Sequence, residues 1–333
     1  MLYHLLVPLA QYNIAFNLFR FQTFRAAGAV VTAFLVAFWF GPAIISRLRM
    51  LKVGQVVRTE GPQTHLGKSG TPTMGGVLII LSTVIPVFLW ARLDNWYTIL
   101  SLLVLVVLGA AIVLLDLSAP IPATWTQIPF FKSIHVEFWW PVYILWVAFI
   151  VVGCSNAVNL TDGLDGLAAG LSAIACATFG VFAYLLGRID ASDYLNLFYL
   201  PGTGELSIFC VALAGGCMGF LWYNAHPAEV FMGDTGSLAI GGVLGAVAIM
   251  LKAEFLLAIV GAVFVAEALS VASQTLYFKW TKHRTGTGKR IFRMAPLHHH
   301  FEQIGWHESK VIIRFWITGI ICALAAFATL KIR

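Results

Sequence analysis

The sequence predicts an all-α, polytopic transmembrane helix bundle. Of its 333 residues, 59% are hydrophobic and only 11% are charged, whereas soluble domains carry roughly a quarter charged residues. A membrane span needs about 20 mostly apolar residues, and such stretches recur along the whole chain. We count nine candidate spans: 26–46, 75–92, 97–116, 138–154, 167–186, 205–223, 236–252, 254–278 and 311–330. No soluble domain interrupts them, so residues 1–333 are predicted to form a single integral membrane domain.

Smaller signals agree with a membrane protein. Several tryptophans lie near predicted span ends, where an interfacial aromatic belt is expected; they are Trp90, Trp96, Trp139, Trp140 and Trp222. The five cysteines lie in or beside spans without a CxxC pair, which predicts small core residues, neither disulfides nor a zinc site. Residues 1–25 are amphipathic and lack a small-residue cleavage site, so we expect an interfacial or peripheral N-terminal helix.

The charges of the loops predict the orientation of the bundle. Loops 47–73 and 279–310 are rich in lysine and arginine and are therefore expected to be cytoplasmic, whereas loop 187–204 is more acidic and is expected outside. Counting spans backwards from 279–310 also places 223–235 and 155–166 on the cytoplasmic face. We therefore predict that the active site is built from these four loops on the cytoplasmic face. The net charge of +6 reflects the basic loops and calls for no nucleic-acid partner.

The span count conflicts with itself at one place. Counting forward from loop 47–73 places 117–137 inside, whereas counting backward from 279–310 places it outside. Nine spans cannot satisfy both. Either one apolar segment does not cross the membrane, or a helix is missing near 116–130.

The most informative polar stretch, 156–166, lies between two spans. Asn156, Asn159, Asp162 and Asp165 are each three residues apart, which in a helix would align them roughly along one side. Such a stripe at a membrane edge can hold a divalent cation, bind hydroxyl-rich or amide-rich substrate groups, or pass protons. The alternative is a capped helix start with Asp162 as the N-cap.

Two further stretches carry phosphate-binding chemistry. Asp234 stands between Gly233 and Gly236, where a carboxylate is accessible to Mg²⁺, which usually takes one or two carboxylates plus substrate oxygens. The alternative role for Asp234 is the N-cap of span 236–252. Lys68 precedes the second span and could pair with a phosphate, while Thr73 could cap that span.

Three consecutive histidines, 298–300, lie in the long basic loop near Arg290 and Arg293. Adjacent residues point apart in a helix or strand, so three simultaneous zinc ligands are not expected. Imidazoles among arginines are better suited to hydrogen bonding a diphosphate or a sugar, the alternative being a solvated basic loop. Together these motifs predict metal-assisted phosphoryl transfer between a phosphorylated molecule and a lipid.

Four segments carry a resemblance to a known family. They are NAVNLTDGLDG (156–166), FMGDTGSLA (231–239), GTPTMGG (70–76) and GKRIFRMAPLHHHFE (288–302). The chain resembles the phospho-N-acetylmuramoyl-pentapeptide-transferases of the polyprenyl-phosphate N-acetylhexosamine-1-phosphate transferase superfamily, over residues 24–333. The triple histidine resembles the muropeptide branch, whereas the branch that uses UDP-GlcNAc carries a different histidine motif.

The resemblance implies an activity and a location. The implied reaction transfers phospho-MurNAc-pentapeptide from UDP-MurNAc-pentapeptide to undecaprenyl phosphate, giving lipid I and UMP for peptidoglycan synthesis. The implied cofactor is Mg²⁺, held by Asp234 as the metal ligand. The implied location is the bacterial inner membrane, with a cytoplasmic active site. The resemblance implies catalytic roles for Asp116, Asp162, Asp165 and His298. It implies substrate-binding roles for Lys68, Thr73, Asn156, Asn159, Asn224, His299 and His300.

The chain departs from the family at one place. The family has ten spans and adjacent aspartates at the inner end of the third span, whereas here Leu115 precedes Asp116 and the expected next span is absent. This is where the span count fails, and both observations predict an internal deletion near 116–130. The alternatives are a complete enzyme with a re-entrant segment and a catalytically impaired homologue. A UDP-GlcNAc enzyme, a proton-coupled transporter and a homodimeric assembly are further hypotheses.

Overall fold

The computed structural model describes residues 1–50, 75–95, 98, 124–131 and 135–331. The helices within these ranges are α1 Leu2–Leu6, α2 Gln22–Met50, α3 Gly76–Trp90, α4 Trp140–Thr161, α5 Leu167–Leu186, α6 Ile189–Leu195, α7 Thr203–Asn224, α8 Gly233–Met250, α9 Glu254–Val260, α10 Ala262–Thr285, α11 Leu297–Gln303 and α12 Glu308–Ala328. Strands β1 (Trp125–Gln127) and β2 (His135–Glu137) form an antiparallel hairpin.

The helices confirm a polytopic helical membrane protein. In the described part of the chain, six helices are long and apolar enough to cross a membrane: α2, α4, α5, α7, α8 and α12. Helices α9 and α10 pass the same test together but meet at an 86° bend, and α3 has 15 residues. These helices overlap eight of the nine predicted spans, but 254–278 is broken by the bend and is not one straight helix. The ninth, 97–116, lies outside the described residues except for Thr98.

Helices α5, α7 and α8 form the centre of the bundle, and small residues let their neighbours approach. A Cβ at Gly215 of α7 would lie 2.7 Å from the Val30 carbonyl oxygen of α2, so only glycine allows this contact. Helices α4 and α12 lie at the periphery and expose large apolar side chains such as Leu145, Phe149 and Ile321. This distribution suits helices that face lipid on one side and packed small residues on the other.

One end of the bundle collects the predicted site loops, and we call it the site end. The start of α3 meets the loop before α8, because the Gly75 N–H donates to the Phe231 carbonyl (2.7 Å) and the Gly76 N–H to the Met232 carbonyl (2.9 Å). The start of α5 meets the end of α7, because the Gly166 N–H donates to Asn224 Oδ1 (3.0 Å). These contacts place the described parts of 155–166 and 223–235 together.

The opposite end is held by buried carboxylates. The Arg25 guanidinium of α2 donates to both oxygens of Glu205 at the start of α7, at 2.6 and 2.7 Å. The backbone N–H of Arg92, after α3, donates to the same carboxylate at 2.9 Å. The unpredicted hairpin packs at this end too, since Thr126 donates to the buried Glu254 carboxylate.

The N-terminal segment is peripheral but is not the single helix that was predicted. Helix α1 is followed by two 3-10 segments, Val7–Gln11 and Ile14–Arg20. Pro8 lacks a backbone donor, and the Asn13 side chain accepts from the Ala15 N–H to start a new turn, so a continuous helix is interrupted twice.

The described flanks of 96–123 decide between the two span counts. Asn95 donates to the Gly202 carbonyl, and Thr124 accepts from the Phe138 N–H, so both flanks lie at the opposite end. The backward count is therefore correct for the described part of 117–137, and the forward count is wrong there.

The cysteine prediction of small core residues is confirmed at three positions, and the tryptophan prediction is compatible with the structure. Cys176, Cys210 and Cys217 are buried, whereas Cys154 and Cys322 are partly exposed. Trp139 and Trp140 are exposed at the start of α4, and Trp222 is exposed near the end of α7, as expected of residues at the two interfaces. Trp96 lies outside the described residues.

The Arg25–Glu205 pair gives the first prediction. Glu205→Gln should destabilise the protein by about 3 kcal/mol or more, because removing one partner leaves a buried charge uncompensated. Thermal unfolding of the purified protein in detergent measures the change as a lower Tm. Asp190→Asn breaks an exposed Arg188–Asp190 pair and should leave Tm unchanged. Equal Tm values for Glu205→Gln and the unaltered protein would contradict the account.

Candidate active site

The polar stretch 156–166 begins as helix and ends as a turn. Helix α4 continues through Thr161, so Asn156 and Asn159 lie on its last turns, and Asp162 is the C-cap residue. Gly166, in the left-handed region at φ 77°, is the N-cap of α5. The predicted stripe therefore ends at Asp162, and the alternative that Asp162 caps the next helix is wrong.

Asn159 connects this stretch to Asp234. Its amide donates to Asp234 Oδ1 at 2.8 Å and lies 2.9 Å from Ser237 Oγ. Asp234 lies in the first turn of α8 and is exposed, while the N-cap residue is Met232 with no side-chain cap. The alternative role of Asp234 as a helix cap is therefore wrong, and its carboxylate is oriented by Asn159 instead.

Asp162 lies close to Asp234. Burial raises the pKa of the Asp162 carboxyl to about 8, and the carboxylates of Asp234 and Asp165 act in the same direction. A hydrogen bond from the Gly233 N–H opposes this increase in pKa but does not cancel it. At neutral pH, Asp162 is therefore mostly protonated. A bound cation would favour its ionisation.

The two remaining asparagines have different environments. Asn156 is exposed, and its amide donates to the Val152 carbonyl one turn earlier at 2.8 Å. Asn224 is buried, accepting from the Gly166 N–H and donating to the Val230 carbonyl at 2.8 Å. Asn224 thus braces the loop after α7 against the start of α5. Direct substrate contact by either asparagine stays a prediction.

Asp165 lies in a compact group with His226 and Glu308. Asp165 Oδ2 is 3.1 Å from His226 Nδ1 and accepts from the Ala228 N–H, while the Asp165 N–H donates to Glu308 Oε1. His226 Nδ1 also lies 3.6 Å from Glu308 Oε2. One potential ligand atom from each of the three residues lies within 4.8 Å of the others, so this group has the composition of a metal site. It also joins three elements of the site end.

The three histidines take different partners, although the rings of His298 and His299 lie edge to face with their centroids 4.2 Å apart. His299 Nδ1 lies 2.7 Å from Glu302 Oε2, and His300 Nδ1 accepts from the Arg293 N–H at 3.1 Å. His298 is fully buried and turns inward to Glu267 of α10. The triple motif thus divides into one buried and two partly exposed imidazoles.

The basic loop before α11 is attached to α10. Gln274 Oε1 accepts from the backbone N–H groups of Ile291 and Phe292, at 2.9 and 3.0 Å. Arg293 donates to the Gln303 carbonyl at 2.9 Å. Arg290 and Arg293 are exposed, so their positive charge is available at the site end.

Three predicted site residues, Lys68, Thr73 and Asp116, lie outside the described residues. Conversely, sequence reasoning assigned no role to His226, Glu267 or Glu308. A usable signal existed for Glu267, because an ionisable residue inside an apolar span is expected to have a function. Glu308 gave no such signal, since it was one of several charges in a basic loop.

Comparison with known proteins identifies the family. A family model described as glycosyl transferase family 4 matches residues 77–252, and phospho-N-acetylmuramoyl-pentapeptide-transferase signature 1 matches residues 68–80. A phospho-N-acetylmuramoyl-pentapeptide-transferase from Gemmatimonas aurantiaca is 51% identical, with all of both chains covered. The chain belongs to this transferase family. Transferases of the same name from Desulfotalea psychrophila and Desulfatibacillum aliphaticivorans are 48% and 47% identical, again with full coverage of both chains.

The alignments with these relatives are longer than the chain itself. They run over 381, 365 and 368 positions, whereas the chain has 333 residues. At least 32 positions of each alignment therefore hold no residue of this chain. Such a difference is enough for one more membrane span and its connection.

Asp162 gives the second prediction. Because its pKa in the folded protein is raised well above the unfolded value, its contribution to stability is fully present at acidic pH and is lost as pH rises through about 8. Asp162→Asn does not lose stability in this way. The Tm of the variant minus the Tm of the unaltered protein should therefore increase between pH 6 and pH 8 and become constant above about pH 9. Unfolding scans in EDTA across this range measure it. A Tm difference that is independent of pH would contradict the assigned protonation.

Proposed function

We propose that this chain transfers phospho-MurNAc-pentapeptide from UDP-MurNAc-pentapeptide to undecaprenyl phosphate, producing lipid I and UMP. The observation that carries the proposal is the gathering of the family's polar segments at one end of a membrane bundle, where Asn159 joins 156–166 to Asp234. The full-length relatives named for this transferase activity support it. The triple histidine favours the muropeptide substrate over UDP-GlcNAc.

The residues beside Asp234 suit Mg²⁺. Mg²⁺ prefers oxygen ligands and usually takes one or two carboxylates plus phosphate oxygens. Asp234 is exposed, one of its oxygens is held by Asn159, and the Asp162 carboxyl is nearby. Asp234 would hold the ion, with Asp162 as a neighbouring oxygen donor. When bound, Mg²⁺ would supply positive charge to the diphosphate of the nucleotide sugar.

The chain's own groups supply orientation and further charge. Phosphoryl transfer depends mainly on positioning and on neutralisation of phosphate charge. Arg290 and Arg293 are exposed on the loop that carries the histidines, and His300 is fixed by the Arg293 N–H. We assign these groups to binding of the UDP-sugar, together with His299. His298 is the histidine assigned to the reaction itself, because it packs against the turn that contains Asp162.

We place the site end on the cytoplasmic face of the bacterial inner membrane. Arg47 and Arg49 lie exposed in the last turn of α2 at this end, and further exposed cations follow from Lys279 to Arg293. Helix α6, which follows α5 at the opposite end, carries Asp190 in an exposed position. A positive bias at the site end supports cytoplasmic orientation. UDP-linked precursors are also cytoplasmic molecules.

We further propose that the residues absent relative to the relatives belong near 116–130. The described flanks of 96–123 lie at the same end of the bundle, and the segment is too short for two crossings. The relatives have at least 32 additional aligned positions, which would supply the missing crossing. The region of Asp116 corresponds by resemblance to the place where the family carries adjacent aspartates, and here Leu115 replaces the first of them. A catalytically impaired homologue is therefore the second candidate function.

The third prediction tests the transferase and its metal ligand. In detergent with Mg²⁺ and undecaprenyl phosphate, the unaltered chain should release UMP from UDP-MurNAc-pentapeptide and not from UDP-GlcNAc. Asp234→Asn should lower the rate by about 100-fold or more, because it removes the charge that holds the ion. Asp190→Asn, at the opposite end, is the matched carboxylate control and should retain full activity.

The alternative outcomes separate the two candidate functions. Binding of UDP-MurNAc-pentapeptide without any UMP release would support the impaired homologue. Release of UMP from UDP-GlcNAc at an equal or higher rate would contradict the assigned substrate. Full activity of Asp234→Asn would contradict the assigned metal ligand.

A further inference from the structure

Glu267 is a fully buried carboxylate that has no role in the site described so far. It lies in the second turn of α10, and its relative exposure is 0%. Oε2 accepts from the Leu297 N–H at 2.7 Å, and Oε1 accepts from the His298 N–H at 3.2 Å. The third contact is between Oε1 and His298 Nδ1, also at 3.2 Å. All three contacts connect α10 to the start of α11.

These contacts determine where His298 carries its proton. Both Glu267 oxygens accept from backbone N–H groups, so Oε1 acts as an acceptor toward His298 as well, and the contact places a proton on Nδ1. In the neutral imidazole, Nε2 is then an unprotonated acceptor. Nε2 is buried and has no hydrogen-bond partner among the described residues. A buried polar atom without a partner costs free energy, which a donor group on a bound ligand would recover.

The direction of the His298 ring is also defined. A Cβ built on Gly163 would lie 2.2 Å from His298 Nε2 and 2.9 Å from Cε1. The ring therefore packs directly against the backbone between Asp162 and Asp165, and only a glycine at 163 leaves room for it. Nε2 thus faces the turn that carries the site carboxylates.

We propose that Glu267 is a positioning residue, which holds His298 in the Nδ1–H tautomer and presents Nε2 as a hydrogen-bond acceptor to an O–H or N–H donor of the nucleotide-sugar substrate. The inference rests on the proposed function for the identity of that substrate. The tautomer itself is a property of the ligand-free protein. It can therefore be tested even if the chain proves inactive.

A purely structural role for Glu267 would predict something different. The two backbone contacts alone would fasten the start of α11. A glutamine whose carbonyl oxygen replaces Oε2 would preserve the shorter of them, from the Leu297 N–H, and would lose the longer one, from the His298 N–H. The remaining amide NH₂ would then donate to Nδ1, which moves the neutral imidazole's proton to Nε2. Glu267→Gln is therefore close to isosteric but reverses the tautomer.

The fourth prediction is tested by NMR with ¹⁵N-histidine in the full-length, detergent-solubilised protein. The His298 signal is assigned as the one that disappears in His298→Gln. In the unaltered protein near neutral pH, the unprotonated nitrogen should be Nε2, and in Glu267→Gln it should be Nδ1. Glu302→Gln, which alters the neighbouring His299–Glu302 pair, should leave the His298 signal unchanged.

Kinetics then test the consequence for the reaction. Glu267→Gln should lower kcat by about 10-fold to 100-fold, the usual range for a group that orients another functional side chain. KM for the nucleotide sugar should change by less than about threefold if the affected hydrogen bond is made mainly in the transition state. Retained Tm shows that the variant folds.

The inference is overturned if His298 of the unaltered protein carries its proton on Nε2, or if Glu267→Gln leaves the tautomer unchanged. It is also overturned if Glu267→Gln reverses the tautomer while kcat is unaffected. An unaltered chain that shows the predicted tautomer but releases no UMP would contradict the proposed activity and leave the positioning supported.

Discussion

The hydrogen bond from Asn159 to Asp234 is the contact on which the site depends, because it joins the end of one membrane span, α4, to the start of another, α8. It requires α4 and α8 to lie unusually close. A Cβ at Gly241 would lie 2.6 Å from the Cys154 carbonyl oxygen, so glycine permits the approach, and Ser155 fastens it by donating to the Leu238 carbonyl at 2.8 Å. The apolar packing of two spans therefore determines the geometry of two polar residues.

Elsewhere in the bundle, buried carboxylates join segments that are far apart in sequence. Glu205, Glu267 and Glu308 are all buried, and each accepts from N–H groups of a distant part of the chain. A carboxylate can accept several hydrogen bonds at once, so one residue can satisfy loop backbone groups that have no regular partner. A broken or irregular backbone near the ends of spans needs such partners, since unsatisfied groups are costly where water is excluded.

Much of the fold could be predicted because hydropathy alone marks a span, and 167–186 coincides with helix α5. Local features that interrupt or replace a regular helix were harder to predict. Pro8 and the Asn13 side chain interrupt the N-terminal helix, and the three-residue strands of the hairpin are too short to show an alternating pattern. At the site, the motifs predicted which residues gather but not their partners. Asp165 meets Glu308, and His298 meets Glu267, through contacts between residues far apart in sequence, which spacing rules cannot detect.

The most direct test of this account is Mn²⁺ binding followed by electron paramagnetic resonance, with the purified chain in detergent. We expect one tightly bound Mn²⁺, which Mg²⁺ displaces. Its affinity should be lost in Asp234→Asn and weakened by about 10-fold or more in Asn159→Leu, because an oriented ligand binds metal better than a free one, while Asp190→Asn binds normally. Equal affinity in Asn159→Leu and the unaltered protein would contradict the central role of the Asn159–Asp234 contact.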